Sequence, residues 1–340
     1  MLSIKNILFI GNFLSKQRGT INPTEYLIEH LSNSGYKIDT ASSYENLFLR
    51  IFEMVFKTMF FKYDAVHIDI FSGKYFTCVD IVSKLASIRK KRIFMTLHGG
   101  MLAEFYKDKP DRVGDTLKRA DLVLSPSIYL ASFFEKVLCI KVRYHPNFIN
   151  IKNFSYGRTK VKTHSLLWVR AFDPIYNPDI AVLALSEVRR KYPDATLTMV
   201  GPDKGLLPDV QKLIKELGLQ EVVDIVGPVQ NNELYKYYQT HEVFLNTTSF
   251  ESFGQAVMEA AACGIPIVST NVGEIPFLWE NEKEMIIVDE PDPKLFAYVI
   301  IRILSDQEFA RNMTINARKK AEKFDWISIK EKWMDILTNL

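Results

Sequence analysis

Cysteine is nearly absent: Cys78, Cys139 and Cys263 are the only three in 340 residues. None has the paired spacing of a metal ligand set, and three cannot make a disulfide framework. The expectation is reduced thiols in apolar core settings of a cytoplasmic protein. Long hydrophobic runs are missing too, since no stretch of about 18 uncharged apolar residues is available to span a bilayer. The apolar run Asn6–Ile10 is too short for a signal peptide and reads as a strand. The dinucleotide spacing G-x-G-x-x-G does not occur, nor do short-period repeats or low-complexity tracts. Charge is patchy and belongs to no nucleic-acid module, so no nucleic-acid partner is expected.

What is present is an ordinary globular composition, 47% hydrophobic and 24% charged, with enough length for two domains. The net charge of +3 conceals an asymmetry. Residues 1–157 hold 22 Lys and Arg against 14 Asp and Glu, whereas residues 158–340 hold 21 against 26. Opposite charge suggests two units with different partners.

Short apolar runs alternate with longer amphipathic stretches along the whole chain. Expected strands lie at Asn6–Ile10, Lys37–Thr40, Ala65–Ile70, Arg92–Leu97, Leu122–Ser125 and Val142–His145. A second cycle follows at Leu166–Val169, Thr196–Val200, Val223–Val226, Val243–Asn246, Ile265–Ser269 and Met285–Val288. Helical patterns lie between them, including Pro23–Ser34, Phe76–Arg89, Pro178–Tyr192, Pro208–Leu217 and Glu233–Thr240. This alternation predicts an α/β fold of two Rossmann-like domains with parallel sheets. Their expected limits are 1–157 and 158–325, joined by the polar linker 150–163. A final amphipathic helix at 326–340 is expected to pack back on the first domain. Ligands of such sheets bind beyond the carboxyl ends of strands, so informative residues should follow strands directly.

Several do. His98 follows a strand and precedes two glycines, where it either reaches a ligand or caps a loop. Gly19 lies in a loop with Lys16 and Arg18 that is able to cradle a phosphate. Arg170 follows the first strand of the second cycle, placed to meet a diphosphate bidentately or to stand exposed. Gly201 and Gly227-Pro228 follow strands, either lining a nucleotide pocket or forming ordinary turns. The densest segment is Phe250–Pro266. Ser252 and Gln255 fit an S-x-x-Q capping box that would start a helix near Phe253. Gly254 would let a ligand approach the backbone, and the helix N-terminus offers amides to an anion. Glu251 precedes this helix, and Glu259 lies inside it among apolar neighbours, where a carboxylate needs hydrogen bonds. A separate Phe-rich segment, Tyr44–Lys62, reads as a core helix or as a helix resting on an anionic bilayer. The basic run Arg89-Lys-Lys-Arg92 adds to that positive half.

The run Val243–Glu274 is similar to the E-x7-E signature, followed by EA-x-ACG-x-P, of the retaining glycosyltransferases of family 4. Thr96-Leu-His-Gly, Ser125-Pro-Ser127, Pro146-Asn147 and Met199-Val-Gly201 add weaker matches, and the resemblance covers nearly the whole chain. It implies the GT-B fold, two Rossmann-like domains with parallel sheets facing a central cleft, and a nucleotide-diphosphate sugar as donor substrate, with no metal and no bound cofactor. It further implies that Glu251 holds hydroxyls of the donor sugar, with Ser252 and the amides of Phe253 and Gly254 beside it. Glu259 would bind the ribose, Arg170 would neutralise the departing diphosphate, and His98 would touch the donor sugar. The Gly19 loop would close over the phosphates, and Gly201, Gly227 and Pro228 would line the nucleotide. The family's lysine after the arginine is replaced here by Ile175, Tyr176 and Asn177, so a second positive charge would come from Lys204 or Arg18. The expected acceptor is a glycan or a lipid-linked saccharide, with cell-surface polysaccharide synthesis as the setting. Peripheral contact with the inner, anionic face of the membrane is expected as well. A nucleotide-sugar epimerase of similar fold and a catalytically degenerate binding subunit are the alternatives.

Overall fold

The computed structural model describes residues 4–13, 23–99 and 101–339. Among the described residues, twelve strands form two six-stranded sheets, and every pairing in both is parallel. The first contains β1 (Asn6–Ile10), β2 (Lys37–Ala41), β3 (Ala65–Ile70), β4 (Arg92–Leu97), β5 (Leu122–Ser125) and β6 (Val142–Tyr144). The second contains β7 (Ser165–Val169), β8 (Thr196–Val200), β9 (Val223–Gly227), β10 (Val243–Asn246), β11 (Ile267–Thr270) and β12 (Ile286–Val288). Central strands such as β3, β7 and β10 are buried along their whole length. A parallel sheet covered by helices on both faces leaves no polar side, which is why these strands read as continuous rather than alternating apolar runs.

Strand order decides where ligands can sit. The first sheet runs β2-β1-β3-β4-β5-β6 and the second β12-β11-β10-β7-β8-β9. Connections reverse direction between β1 and β3 in one and between β7 and β10 in the other. At such a switch point the loops leave in opposite directions and open a crevice at the carboxyl ends of the strands.

Residues 1–147 and 329–340 form one unit, and residues 148–328 the other. The division falls ten residues before the expected boundary because Ile149 and Phe154 are buried in the second unit's core. The helix Trp326–Asn339 starts in the second unit and ends in the first. There Trp333 packs against His145, with ring centroids 4.5 Å apart, and edge-on to His67 at 5.8 Å.

Two expectations are corrected. Cys78 and Cys263 are buried, but Cys139 is exposed, ending the helix Ile128–Leu138 in a left-handed conformation (φ 52°) rather than joining the core. The Phe-rich segment forms a helix, Leu47–Phe60, but not a core helix, since only Met54 and Thr58 in it are buried. One face is enough to cover the flank by β2, and its aromatic residues point away. No described helix is long and apolar enough to cross a membrane.

Candidate active site

The switch point of the second unit brings Arg170, one residue beyond β7, to Glu251, five residues beyond β10. Arg170 Nη2 donates to Glu251 Oε2 at 2.5 Å and to Asn246 Oδ1 at 3.1 Å. Its guanidinium lies 5.6 Å from the centre of the Tyr176 ring. Both charged side chains are nearly buried, 11% and 12% exposed. Burial, the largest single influence, would favour an uncharged arginine, but Glu251, Tyr176, Tyr238 and Glu259 together outweigh it and raise the guanidinium pKa. The buried Nε of Arg170 has no hydrogen-bond partner among the described residues, so the group retains donor capacity for a ligand.

Glycines set this geometry at two points. Gly201 follows β8 with φ +152°, and a Cβ there would stand 1.8 Å from the Arg170 carbonyl oxygen. Gly273 has φ +54°, and its Cβ would meet the Glu251 carbonyl oxygen at 2.0 Å. The Glu274 amide donates to that same oxygen at 2.8 Å. The backbones of both charged residues are thus held by contacts that tolerate no side chain.

The helix beside Glu251 runs Gln255–Cys263, two residues later than expected, and the capping box is not formed. Gly254 is the N-cap in the left-handed region (φ 85°), with no side-chain cap bond. Its missing Cβ permits the turn, so the first amides are left uncovered by Ser252. Ser252 is half-buried, and Phe253 is a core residue packed edge-on to Phe324 at 5.7 Å.

Glu259 is buried on this helix. Asn231 Nδ2 donates to its Oε1 at 3.0 Å and the Tyr238 hydroxyl to its Oε2 at 3.1 Å. Burial pushes its pKa up to about 6, opposed by those two bonds, by Arg170 and by Gln255. Each carboxylate oxygen has a further lone pair, so the site can still accept from a ligand hydroxyl. Asn231 and Tyr238 escaped the sequence reading because they come from a turn and a helix more than 20 residues away, with no motif to mark them. Asn231 comes just after Gly227 and Pro228. Gly227 accepts a bond from the Gly201 amide at 2.8 Å, and Pro228 is exposed. Lys204 is exposed in the loop after β8, its amide bonded to the Phe172 carbonyl at 3.1 Å. Where the family pattern has a lysine, Tyr176 stacks on Arg170 and Asn177 bonds Thr247 and Ser249.

The first unit has its own polar cluster at its switch point. His98 Nε2 lies 3.1 Å from Asp69 Oδ1, and the Thr24 hydroxyl donates to Asp69 Oδ2 at 2.7 Å. Burial alone would raise the Asp69 pKa, but His98, His67 and Thr24 outweigh it and keep it below the usual range. His98 also stacks on Phe71, ring centroids 5.7 Å apart. Gly11, after β1, has no room for a Cβ, which would stand 2.8 Å from Asp69 Oδ2. Asp69 was missed, although an acidic residue inside the otherwise buried strand Ala-Val-His-Ile-Asp-Ile was a legible signal. Gly19, with Lys16 and Arg18, lies outside the described residues.

Residues 152–320 match the family model of glycosyl transferases group 1. Among curated relatives, a D-inositol 3-phosphate glycosyltransferase of Corynebacterium jeikeium is 29% identical over 175 residues, which is 50% of this chain and 41% of that protein. Another of the same name from Paenarthrobacter aurescens is 30% identical over 178 residues, 52% of this chain and 44% of that protein. The matched region thus spans less than half the length of these relatives. Among solved structures, sucrose-phosphate synthase from Thermosynechococcus elongatus superposes with a TM-score of 0.81 at 20% identity, covering 98% of each chain. HepE from Anabaena, in complex with UDP and glucose, gives 0.79 at 16% identity, covering 99% of this chain and 100% of that one. These likenesses establish the fold: two parallel six-stranded sheets with flanking helices, the GT-B class.

Proposed function

The chain belongs, through its C-terminal half, to the group 1 glycosyl transferases, and on that premise we propose that it moves a sugar from a nucleoside-diphosphate sugar to a glycan or lipid-linked acceptor. The observation that carries the proposal is the nearly buried Arg170–Glu251 pair at the switch point of the second sheet, beside an uncapped helix N-terminus. A guanidinium and free amides placed together suit a diphosphate, whose charge grows as the sugar leaves. In this reading Arg170 turns its free Nε to the leaving diphosphate. Glu251 accepts from hydroxyls of the donor sugar, and the amides of Phe253 and Gly254 lie beside sugar and phosphate. Glu259, braced by Asn231 and Tyr238, accepts from the ribose. Gly201, Gly227, Pro228 and Ser252 line the nucleotide, and Lys204 supplies a second positive charge. His98, oriented by Asp69, meets the sugar.

Transfer with retention fits the division of labour between the two glutamates. Neither is needed as an acid/base partner of the other if the acceptor enters on the face the diphosphate leaves. Side chains and amides, rather than a metal, would neutralise the diphosphate. HepE was crystallised with UDP and with UDP-glucose, which makes uridine nucleotides the first donors to try. A degenerate, purely binding role has two observations in its favour: Arg170 already bonds Glu251, and the family lysine is replaced.

Release of nucleoside diphosphate from a panel of nucleotide sugars, with saccharide and lipid-linked acceptors, separates these readings. Wild type should release it only with acceptor, and Glu251→Ala and His98→Ala should lower the rate by about 100-fold or more. Donor isomerised without acceptor would make the protein an epimerase, and unchanged rates in both variants would remove the assigned site.

A further inference from the structure

We propose that the outward face of the helix Leu47–Phe60 is a docking surface for an anionic lipid bilayer. A surface helix ordinarily turns polar residues to water and apolar ones inward. This helix is inverted. Its exposed positions are Leu47, Phe48, Leu49, Phe52, Phe56 and Phe60, with no charged residue among them. Phe48, Phe52 and Phe60 are 82%, 68% and 70% exposed. At four-residue spacing they form one stripe, about 18 Å long at the helical rise per residue. Phe52 and Phe56 lie 6.0 Å apart and Phe56 and Phe60 5.1 Å apart, centroid to centroid.

The charged residues of the helix are all used, Glu53 and Lys57 against the sheet edge. Glu53 accepts from the amides of Ser42 and Ser43 at 3.0 and 2.9 Å. Lys57 donates to the Thr40 carbonyl at 2.6 Å and to Glu53 at 2.8 Å, and Arg50 to the Tyr44 carbonyl at 2.8 Å. Glu53 and Lys57 therefore staple the helix to the edge of the first sheet and leave its aromatic face to the outside.

A basic rim follows directly. Arg89 Nη1 donates to the carbonyls of Thr58 and Phe61, at 2.7 and 3.0 Å, so Arg89 meets the C-terminal end of the helix. Lys62 and Lys90 are exposed there, and Ile88 beside them is 73% exposed. Aromatic rings edged by lysines are complementary to acyl chains beneath anionic headgroups. A bilayer is favoured over a second protein by shape: the surface is one helix wide, whereas a stable protein interface takes roughly 800 Å² per partner.

Co-sedimentation of the full chain with phosphatidylglycerol–phosphatidylcholine vesicles, against phosphatidylcholine alone, tests the surface without any turnover, so it can fail independently of the transferase reading. Wild type should sediment with the anionic vesicles. Phe52→Ser/Phe56→Ser should lose about tenfold or more in binding, and Lys62→Glu/Lys90→Glu a similar factor, mimicked by high salt. Since all four side chains are exposed, melting temperatures should stay near wild type. No wild-type binding, equal binding by the Phe variant, or equal binding to neutral vesicles would overturn the proposal. So would a wild-type dimer that the Phe variant dissociates without any vesicle binding.

Discussion

Glu259 holds its proton at an unusual pH because burial in the second unit outweighs its hydrogen bonds and the pull of Arg170. Its folded pKa of about 6 lies above the ordinary 4.5. The folded state therefore binds this proton more tightly, and the residue's contribution to stability is greatest below about 4.5 and falls away as pH rises to about 6. The change is about 2 kcal/mol. Urea unfolding of wild type and Glu259→Gln across that interval should show wild type losing ground by up to this amount, and parallel curves would refute the linkage. The odd placement of Glu259 was legible, since a lone carboxylate stands out in Ala-Val-Met-Glu-Ala-Ala-Ala-Cys. Its bracing by Asn231 and Tyr238 was not, because side chains from distant segments leave no spacing in the sequence.

Elements rather than residues decide whether the charged pair meets. β7 and β8 present Arg170 only because Gly201 allows the two strand ends to touch, with 1.8 Å separating an added Cβ from the Arg170 oxygen. Gly201→Ala should cost roughly 2–4 kcal/mol of stability, as strained or overpacked backbone sites do. Urea denaturation would read it, and a cost within 0.5 kcal/mol would show the contact to be easily relieved. Strand positions were legible almost to the residue because parallel strands buried on both faces are uninterrupted apolar runs. Helix starts were less so. Ser252 and Gln255 matched a capping pattern, but Gly254 took the turn and moved the start to Gln255. The helix Leu47–Phe60 was ambiguous for a related reason: apolar periodicity names a face without saying whether protein covers it.

At the scale of the whole chain, two units with separate cores share one helix, which starts in the second and ends in the first. Its Trp333 lies against His145 and His67, and burial pushes the pKa of each histidine down to about 4. For His145, Lys332 and Arg143 add to the effect of burial; for His67, Asp69 opposes it. A depressed histidine adds stability above about 6.5 that is lost as pH falls towards about 4. Each is worth about 3 kcal/mol. Hydrogen exchange should show the end of this helix opening over that range, and His145→Gln should flatten the dependence. Equal protection at both ends of the range would contradict it.

A donor site built around Arg170, Glu251 and Glu259 must bind a nucleotide sugar, and a thermal-shift screen with UDP-, GDP-, ADP- and dTDP-sugars tests this most directly. A ligand bound only to the folded state raises the melting temperature by mass action. One nucleotide sugar should raise that of wild type, and Arg170→Ala should weaken its binding by roughly 2–4 kcal/mol, as loss of a buried charge partner does. No shift with any donor, or an equal shift in Arg170→Ala, would contradict the site.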